Sequence, residues 1–427
     1  MEKFLIPERR RWIIVVTIFL AIVFNYVDRQ LLSILKPILE DEFHIGNETY
    51  ALIVNLFTVC YAIMYPVAGW LVDRFGARLV MFFGLLTWSA ASIGGGFAKT
   101  IGQFGFFRAL LGIGEPANFP AQIKVVTIWF TGKLRATANS LCVAGSSIGA
   151  IIAPPLVAWL AISYSWDTAF LFVGIIGLLI AVLWIIFYRD PPERIAKEAA
   201  ESSGMSRVEA FSWARLWRTR SLWGILLIRF ISDPVWYFCL FWLPGYLQEH
   251  SGLSLAQIGM FGWIPFLAAD LGGIGTSVWS DRMVKNGMKP LRSRKIMLTT
   301  TAIAAPLCAL TPYLPNAATT VLVFCFVAAM CISWLFSISV VVSEVFPVNN
   351  VASVLGIAGG CGAIGAVLFN YVIGQLLGTL GAGKIFVVMA FLHPVAVLIL
   401  WTMVRPEKIK TNRPIPSDEK QIHDYDQ

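Results

Sequence analysis

Charge is scarce in this chain. Of its 427 residues only 14% are Asp, Glu, Lys or Arg, and 57% are hydrophobic. A soluble globular domain carries about 25% charged side chains. So few polar groups cannot cover a water-exposed surface of this size. Histidine is also rare, and His44, His250, His393 and His423 show no metal-binding spacing. The cysteines (Cys60, Cys142, Cys239, Cys308, Cys325, Cys331, Cys361) lie singly in apolar segments without a CxxC pair. They read as small packing residues, not as a disulfide frame or a metal site. The chain also lacks a nucleophile–base constellation, a metal motif and a nucleotide-binding loop. These absences weigh against a membrane-embedded enzyme or sensor, and no cofactor is expected.

What the chain has instead is long apolar runs, such as Trp12 to Val27, Leu79 to Ala98 and Ala169 to Tyr188. About 20 apolar residues span the hydrocarbon core as a helix, because in lipid the backbone must satisfy its own hydrogen bonds. The first run is too long for a signal-peptide core and no small-residue cleavage site follows it. The fold class expected is therefore an all-α polytopic membrane protein with twelve transmembrane helices. Their approximate spans are 12–35, 50–72, 79–98, 101–126, 135–160, 166–188, 221–247, 254–280, 295–312, 317–345, 350–378 and 383–404. The longest polar stretch separates the sixth from the seventh. The organisation expected is a six-helix half (1–188), a cytoplasmic linker (189–220), a second six-helix half (221–404) and a polar, disordered cytoplasmic tail (405–427).

The net charge of +8 is a matter of topology rather than of nucleic-acid binding. Lys and Arg crowd the N-terminus, the central linker, the loop after the eighth span and the tail. The opposite side has Lys36, Lys99 and Lys384. The positive-inside rule places both termini and the linker in the cytoplasm, which an even number of spans allows. A multi-pass cell-membrane protein results, with a bacterial inner membrane as the expected location.

A few charges fall at bilayer depth, where each costs several kcal/mol unless paired or wetted. Asp28 and Arg29 are adjacent, so they point about 100° apart on one helix. Arg29 is the first candidate for a substrate carboxylate, since a guanidinium matches a carboxylate with two parallel hydrogen bonds. Asp28 is a candidate proton-binding acid, and a structural pair is the alternative. Arg108 and Glu115 share one helix stripe about 10.5 Å apart, too far to pair directly. Pro116 breaks helix regularity beside Glu115, which suits a cavity-lining group. Glu115 is the leading proton-coupling acid, with Arg108 tuning it. Arg229 and Asp233 stand at i, i+4 and can pair within their helix. Either they form a second basic contact from the opposite half or they are a silent salt bridge. Asp270 reads as structural, near the charges of the following loop, and Lys124 as a snorkelling residue. Tyr61 and Tyr65 share a face and could hydrogen-bond sugar hydroxyls. Trp236 or Trp334 could stack on a pyranose ring, packing being the alternative for each. The glycines from Gly356 to Gly365 read as close helix packing.

Between the second and third spans the chain reads Gly69-Trp-Leu-Val-Asp73-Arg74-Phe-Gly76-Ala-Arg78. This resembles the loop signature of the major facilitator superfamily. A weaker copy, Ser277-Val-Trp-Ser-Asp281-Arg282 with Gly287 nearby, follows the eighth span. The resemblance implies two six-helix halves built from inverted three-helix repeats, with Gly69, Asp73, Arg74, Gly76 and Arg78 as a gating loop. Asn25-Tyr-Val-Asp-Arg29, Arg108 and Gly114-Glu-Pro-Ala-Asn118-Phe-Pro120 resemble the anion:cation symporters of that superfamily. Three further stretches look like its hexuronate transporters: Gly145-Ser146-Ser147-Ile-Gly149 through Pro155, Arg229-Phe-Ile-Ser-Asp233-Pro-Val-Trp236, and Trp263 to Asp270. Galactonate carriers have a glutamine where this chain reads Gly145-Ser146-Ser147, so the resemblance carries the substrate class better than the substrate. It implies proton-coupled symport of an anionic sugar acid by a monomer. The partners would be the anion, protons and the bilayer. Arg29, Tyr61, Arg229, Trp236, Asn118, Ser146 and Ser147 would form the substrate site. An organophosphate or other organic-anion exchanger, or an aldonate symporter, is the alternative.

Overall fold

The computed structural model describes residues 8–130, 132–189, 212–346, 348–380 and 382–405. The bulk of the linker and of the tail expected from the sequence, 190–211 and 406–427, lies outside the described residues. So do the side chains of Asp73, Lys133 and Arg135. Among the described residues the secondary structure is helical throughout, with no strand.

The first half comprises α1 (Glu8–Ile34), α2 (Lys36–Phe43), α3 (Asn47–Phe75), α4 (Ala77–Gly96), α5 (Ile101–Gly114), a 3-10 turn (Glu115–Ala117), α6 (Asn118–Trp129), α7 (Gly132–Ser163) and α8 (Trp166–Phe187). The second half comprises α9 (Trp213–Arg218), α10 (Arg220–Phe241), α11 (Leu243–Glu249), α12 (Leu255–Phe261), α13 (Ile264–Lys285), α14 (Pro290–Thr301), a 3-10 segment (Ala302–Tyr313), α15 (Ala317–Val345), α16 (Val348–Leu380) and α17 (Ala382–Met403).

Eleven helical stretches of the described residues are long and apolar enough to cross a membrane. Twelve are expected from the sequence. The difference falls on 101–126, where the path breaks at Glu115-Pro116 into α5, the 3-10 turn and α6. Proline has no N–H to donate and its ring crowds the preceding turn, so neither piece alone has spanning length.

Within the first half α1 lies along α7 and α4 along α8; within the second α13 lies along α15 and α10 along α16. The two halves meet chiefly where α3 packs on α16 and α7 on α12. Side chains such as Phe83, Phe106, Leu271 and Leu398 remain exposed around the outside. An apolar perimeter without protein partners is what a bilayer requires.

Successive crossings alternate in direction, so the start of α1 and the end of α17 lie at one end of the bundle. The motif between α3 and α4 lies at this basic end. Gly76 there adopts φ 85°, and Gly287 in the weaker second copy adopts φ 89°; a side chain is strained in that region. Arg78 donates to the Ile185 carbonyl at 3.0 Å, and the Trp184 indole donates back to the Arg78 carbonyl at 3.0 Å. Arg74 lies over Trp70, and Gly69 has open space around it. In the second copy Arg294 bonds Asp281 at 2.6 Å and approaches Glu344 at 3.5 Å.

The far end is closed by bonds between the halves. Tyr50 donates to the Phe241 carbonyl at 2.6 Å, and Gln248 donates to the Ile34 carbonyl at 3.0 Å. Lys36 pairs with Glu249 across the seam and with Glu40 on its own helix.

Candidate transport site

A cavity of about 520 Å³ lies between the halves, within the usual range for small-molecule sites. Its lining comes from α1, α3, α10, α15 and α16. Leu240 and Phe241 belong to it on the far side, next to the Tyr50 bond. The residues from α15 and α16 (Leu335, Ile338 and Ser339; Leu355 to Gly360 and Ala363) sit in the parts of those helices nearer the basic end. The cavity is thus sealed at the far end and extends toward the basic end.

Arg29 and Tyr61 face each other across its first-half wall. The Arg29 guanidinium lies 4.6 Å from the Tyr61 ring centre, 5.2 Å from Tyr26 and 5.6 Å from Phe57. This aromatic cradle holds a cation through the ring quadrupoles. Behind it, Arg29 Nε donates to Glu115 Oε2 at 2.7 Å. The Glu115 side chain is fully buried and does not line the cavity. It is reached through Arg29. Arg29 Nη2 and Glu115 Oε1 have no hydrogen-bond partner among the described residues.

Asp28 turns the other way on α1, as the 100° offset requires. Its Oδ1 lies 3.5 Å from Arg108, and its Oδ2 accepts a 2.6 Å bond from the Trp88 indole. Arg108 therefore pairs with Asp28 and not along its own helix with Glu115. Two arginines and two carboxylates form a charge-balanced, buried group in the first half. Close approach of α4 and α5 makes it possible: a Cβ on Gly114 would fall 2.6 Å from the Trp88 backbone nitrogen.

Across the cavity Arg229 bonds Asp233 at 3.0 Å within α10, and both line the space together with Trp236. Trp236 also packs edge-on against Phe266. The Asp233 carboxylate occupies a notch in α16, where a Cβ on Gly362 would lie 2.0 Å from Oδ2. The glycine-rich stretch thus divides. Gly362 and Gly365 permit close packing against α10, whereas Gly356, Gly359 and Gly360 stand open and line the cavity.

Other candidates lie elsewhere. Asn118 is buried, off the cavity, with its amide unpartnered among the described residues. Ser146 bonds the Val143 carbonyl of its own helix, and Ser147 donates to Asp270 at 2.7 Å, joining α7 to α13 across the halves. Neither serine lines the cavity. Asp270 is thus engaged by the other half rather than by the loop charges. Trp334 is buried edge-on against His393, away from the cavity, so it is not placed to stack on a sugar. Lys124 donates to the Val72 carbonyl at 2.7 Å. Trp88, Phe57 and Tyr237 were not foreseen, because an aromatic in an apolar helix has no distinguishing signal until its neighbours are known.

Two helical halves around a central, largely apolar cavity that holds a few paired charges and is shut at one end define a membrane carrier rather than an enzyme. The chain matches the family described as Major Facilitator Superfamily over residues 18–324 and 291–424, and it belongs to that superfamily. It is 29% identical over 409 residues to the hexuronate transporter of Escherichia coli strain K12, covering 92% of this chain and 94% of that one. It is 30% identical over 411 residues to the Bacillus subtilis hexuronate transporter, with 90% and 94% covered. Against the galacturonate transporter of Dickeya chrysanthemi it is 33% identical over 276 residues, with 62% and 79% covered. Its fold is similar to a bacterial homologue of the human lysosomal transporter Spinster in an inward-facing, occupied conformation, with a TM-score of 0.77, 15% identity and 94% and 98% of the two chains covered. It is also similar to a D-xylose–proton symporter, with a TM-score of 0.74, 16% identity and coverage of 94% and 99%.

Proposed function

We propose that this carrier is a proton-coupled symporter of an anionic sugar acid, a hexuronate such as glucuronate or galacturonate. It works by alternating access in a bacterial inner membrane with both termini cytoplasmic. The observation that carries the proposal is Arg29, which lines the cavity on one side and is bonded to buried Glu115 on the other. A substrate carboxylate and Glu115 compete for the same guanidinium. Protonating Glu115 removes its claim, and the substrate carboxylate takes its place with a charge-assisted bond. Proton and anion thereby enter as a pair.

The electrical balance favours the same scheme. An inside-negative potential opposes anion entry by about 2.3 kcal/mol per charge per 100 mV, and a cotransported proton cancels that term. Each arginine of the cavity is already paired with a carboxylate, Arg29 with Glu115 and Arg229 with Asp233, so a dianion would meet two carboxylates rather than a free basic clamp. This disfavours an organophosphate exchanger. Tyr61 and Trp236 are placed to meet the hydroxyls and ring face of a sugar. The named hexuronate and galacturonate relatives support the substrate class.

The test is uptake of labelled glucuronate, galacturonate, galactonate and glycerol phosphate into proteoliposomes, with and without a pH gradient. Hexuronates should accumulate only when the entry side is acidic. Accumulation of glycerol phosphate, or hexuronate uptake indifferent to the gradient, would overturn the proposal.

A further inference from the structure

We infer that Asp233 sets the charge class of the substrate: it occupies the second arginine of the cavity, so that a sugar acid with one carboxylate is accepted and one with a carboxylate at each end is refused. The inference rests on the reading that Arg29 holds the carboxylate of a sugar acid.

The two arginines of the cavity are paired in different ways. Glu115, the partner of Arg29, stands behind it and off the cavity. Asp233, the partner of Arg229, lines the cavity beside it at 3.0 Å. An anion at Arg29 meets a cation whose counter-charge is on the far side. An anion at Arg229 meets a carboxylate on the same surface. The arginine side chain is 15% exposed and the aspartate 8%, so water does little to screen that repulsion. The neutral end of a hexuronate meets the opposite situation. Hydroxyls both donate and accept, and the pair offers donors in Arg229 and an acceptor in Asp233. Asp233 Oδ1 has capacity to spare, since the Ser232 hydroxyl approaches it only to 3.5 Å, long for a hydrogen bond between oxygens.

The fold holds this pair together. The i, i+4 spacing puts both side chains on one face of α10. Pro234 has no N–H for the Phe230 carbonyl, and Gly365 lets α16 close against that carbonyl while Gly362 lets it close against the Asp233 carboxylate. A Cβ at either glycine would collide with α10. Asp233 is thus backed by a helix and stays beside Arg229. Size does not make the choice between substrates: a second carboxylate adds little volume to a hexuronate, and the cavity measures about 520 Å³. Charge makes it.

The test is isothermal titration of the full-length protein at pH 7 with glucuronate, with glucarate, whose two carboxyls are both ionised there, and with glucarate monoamide. The last two share an open chain and differ in one charge. Wild type should bind glucuronate, and should bind the monoamide about tenfold or more tightly than glucarate, the scale of one charge-assisted hydrogen bond. Asp233→Asn frees Arg229, so the ratio should move by about tenfold or more toward glucarate. R229Q/D233N removes the cation as well and should lose that gain, because the two residues act as one unit. Where D233N does not fold, Asp233→Ser, smaller and equally neutral, takes its place, and the wild-type comparison of glucarate with its monoamide needs no variant. A wild type that binds none of the three overturns the sugar-acid reading and this role together. A wild type that binds glucuronate but does not prefer the monoamide to glucarate overturns the role of Asp233 alone. So does a ratio that D233N leaves unchanged, or a gain that survives the loss of Arg229.

Discussion

The Arg29–Glu115 bond makes two separable demands on its residues. Arg29 must present a fork to two partners, Glu115 behind it and the substrate in front. Lysine keeps the charge but concentrates it in a compact ammonium that cannot serve both in plane. Arg29→Lys is therefore expected to weaken glucuronate binding by about tenfold or more, the scale of one charge-assisted hydrogen bond. Isothermal titration checks this, and unchanged affinity would move the carboxylate site to Arg229. Glu115 must gain and lose a proton. Glu115→Gln has the shape of the protonated acid and cannot ionise, so Arg29 stays free for the anion. Exchange should persist while accumulation against a gradient disappears. An E115Q protein that still concentrates glucuronate under a pH gradient would remove Glu115 from the coupling step. The sequence placed Arg29, Asp28, Arg108 and Glu115 at membrane depth, because depth follows from position along a helix. It did not reveal which acid faces which arginine. That depends on the rotation of each helix about its axis, and the rotation is set by contacts such as Gly114 on Trp88.

At the scale of elements, the far-end closure rests on α2 and α11. Lys36 is buried, lies within 5.2 Å of the Tyr50 ring centre and 5.8 Å of that of Trp242, and serves Glu40 on its own side and Glu249 on the other. Burial lifts the Glu40 carboxyl above its ordinary 4.5, Lys36 pulls it back and Glu249 adds to the rise. Once the seam opens, Glu40 faces water and returns toward the ordinary value. The closed form then binds the Glu40 proton more tightly than the open form, so protonation favours closure. The physical reason agrees in sign: neutral Glu40 no longer repels Glu249 and leaves Lys36 entirely to it. Closure should strengthen as pH falls from neutral toward 4.5 and weaken as it rises. Spin labels at Glu42→Cys and Ala256→Cys, with the native cysteines replaced by alanine, would report the distance across the seam. The short distance should gain population on acidification. It should dominate at all pH values in Glu40→Gln, and give way to a longer one in Glu249→Gln. A distribution insensitive to pH and to both substitutions would show that the seam is held by its backbone bonds, Tyr50 to Phe241 and Gln248 to Ile34, without the charges. In the sequence Lys36 was only an exception to the charge asymmetry. Its role depends on a residue 213 positions away.

For the whole molecule, the two halves and the membrane-spanning class were legible because hydropathy and loop charge are properties of consecutive residues. The break in the fourth crossing was half legible. Pro116 announced an irregularity, but not that α5 and α6 would each fall short of spanning length. The cavity wall was legible only in part: Arg29, Tyr61, Arg229 and Trp236 stood out by residue type and depth, whereas Phe57, Tyr237 and Ser339 join them from separate helices with no signal in the sequence. What the whole assembly adds is a charge balance. Arg29 and Arg108 are matched by Glu115 and Asp28, and Arg229 by Asp233. An anion entering this enclosure adds an uncompensated negative charge, which is costly in a low-dielectric interior. Balance returns if one carboxylate takes up a proton. Substrate binding should then draw a proton from solution, and by linkage each ligand should raise the affinity for the other by the same factor. Raising the pH removes the proton that the complex requires, so glucuronate affinity should fall as pH rises. Sugar carboxylic acids titrate near pH 4, so between about pH 6 and 9 any proton taken up belongs to the protein. Isothermal titration in buffers of differing ionisation enthalpy would count it directly. An uptake near one proton per glucuronate is expected for the wild type and near zero for Glu115→Gln. A zero count in the wild type, with affinity flat across that window, would mean that the anion enters alone and that Arg29 gives up Glu115 without its being protonated.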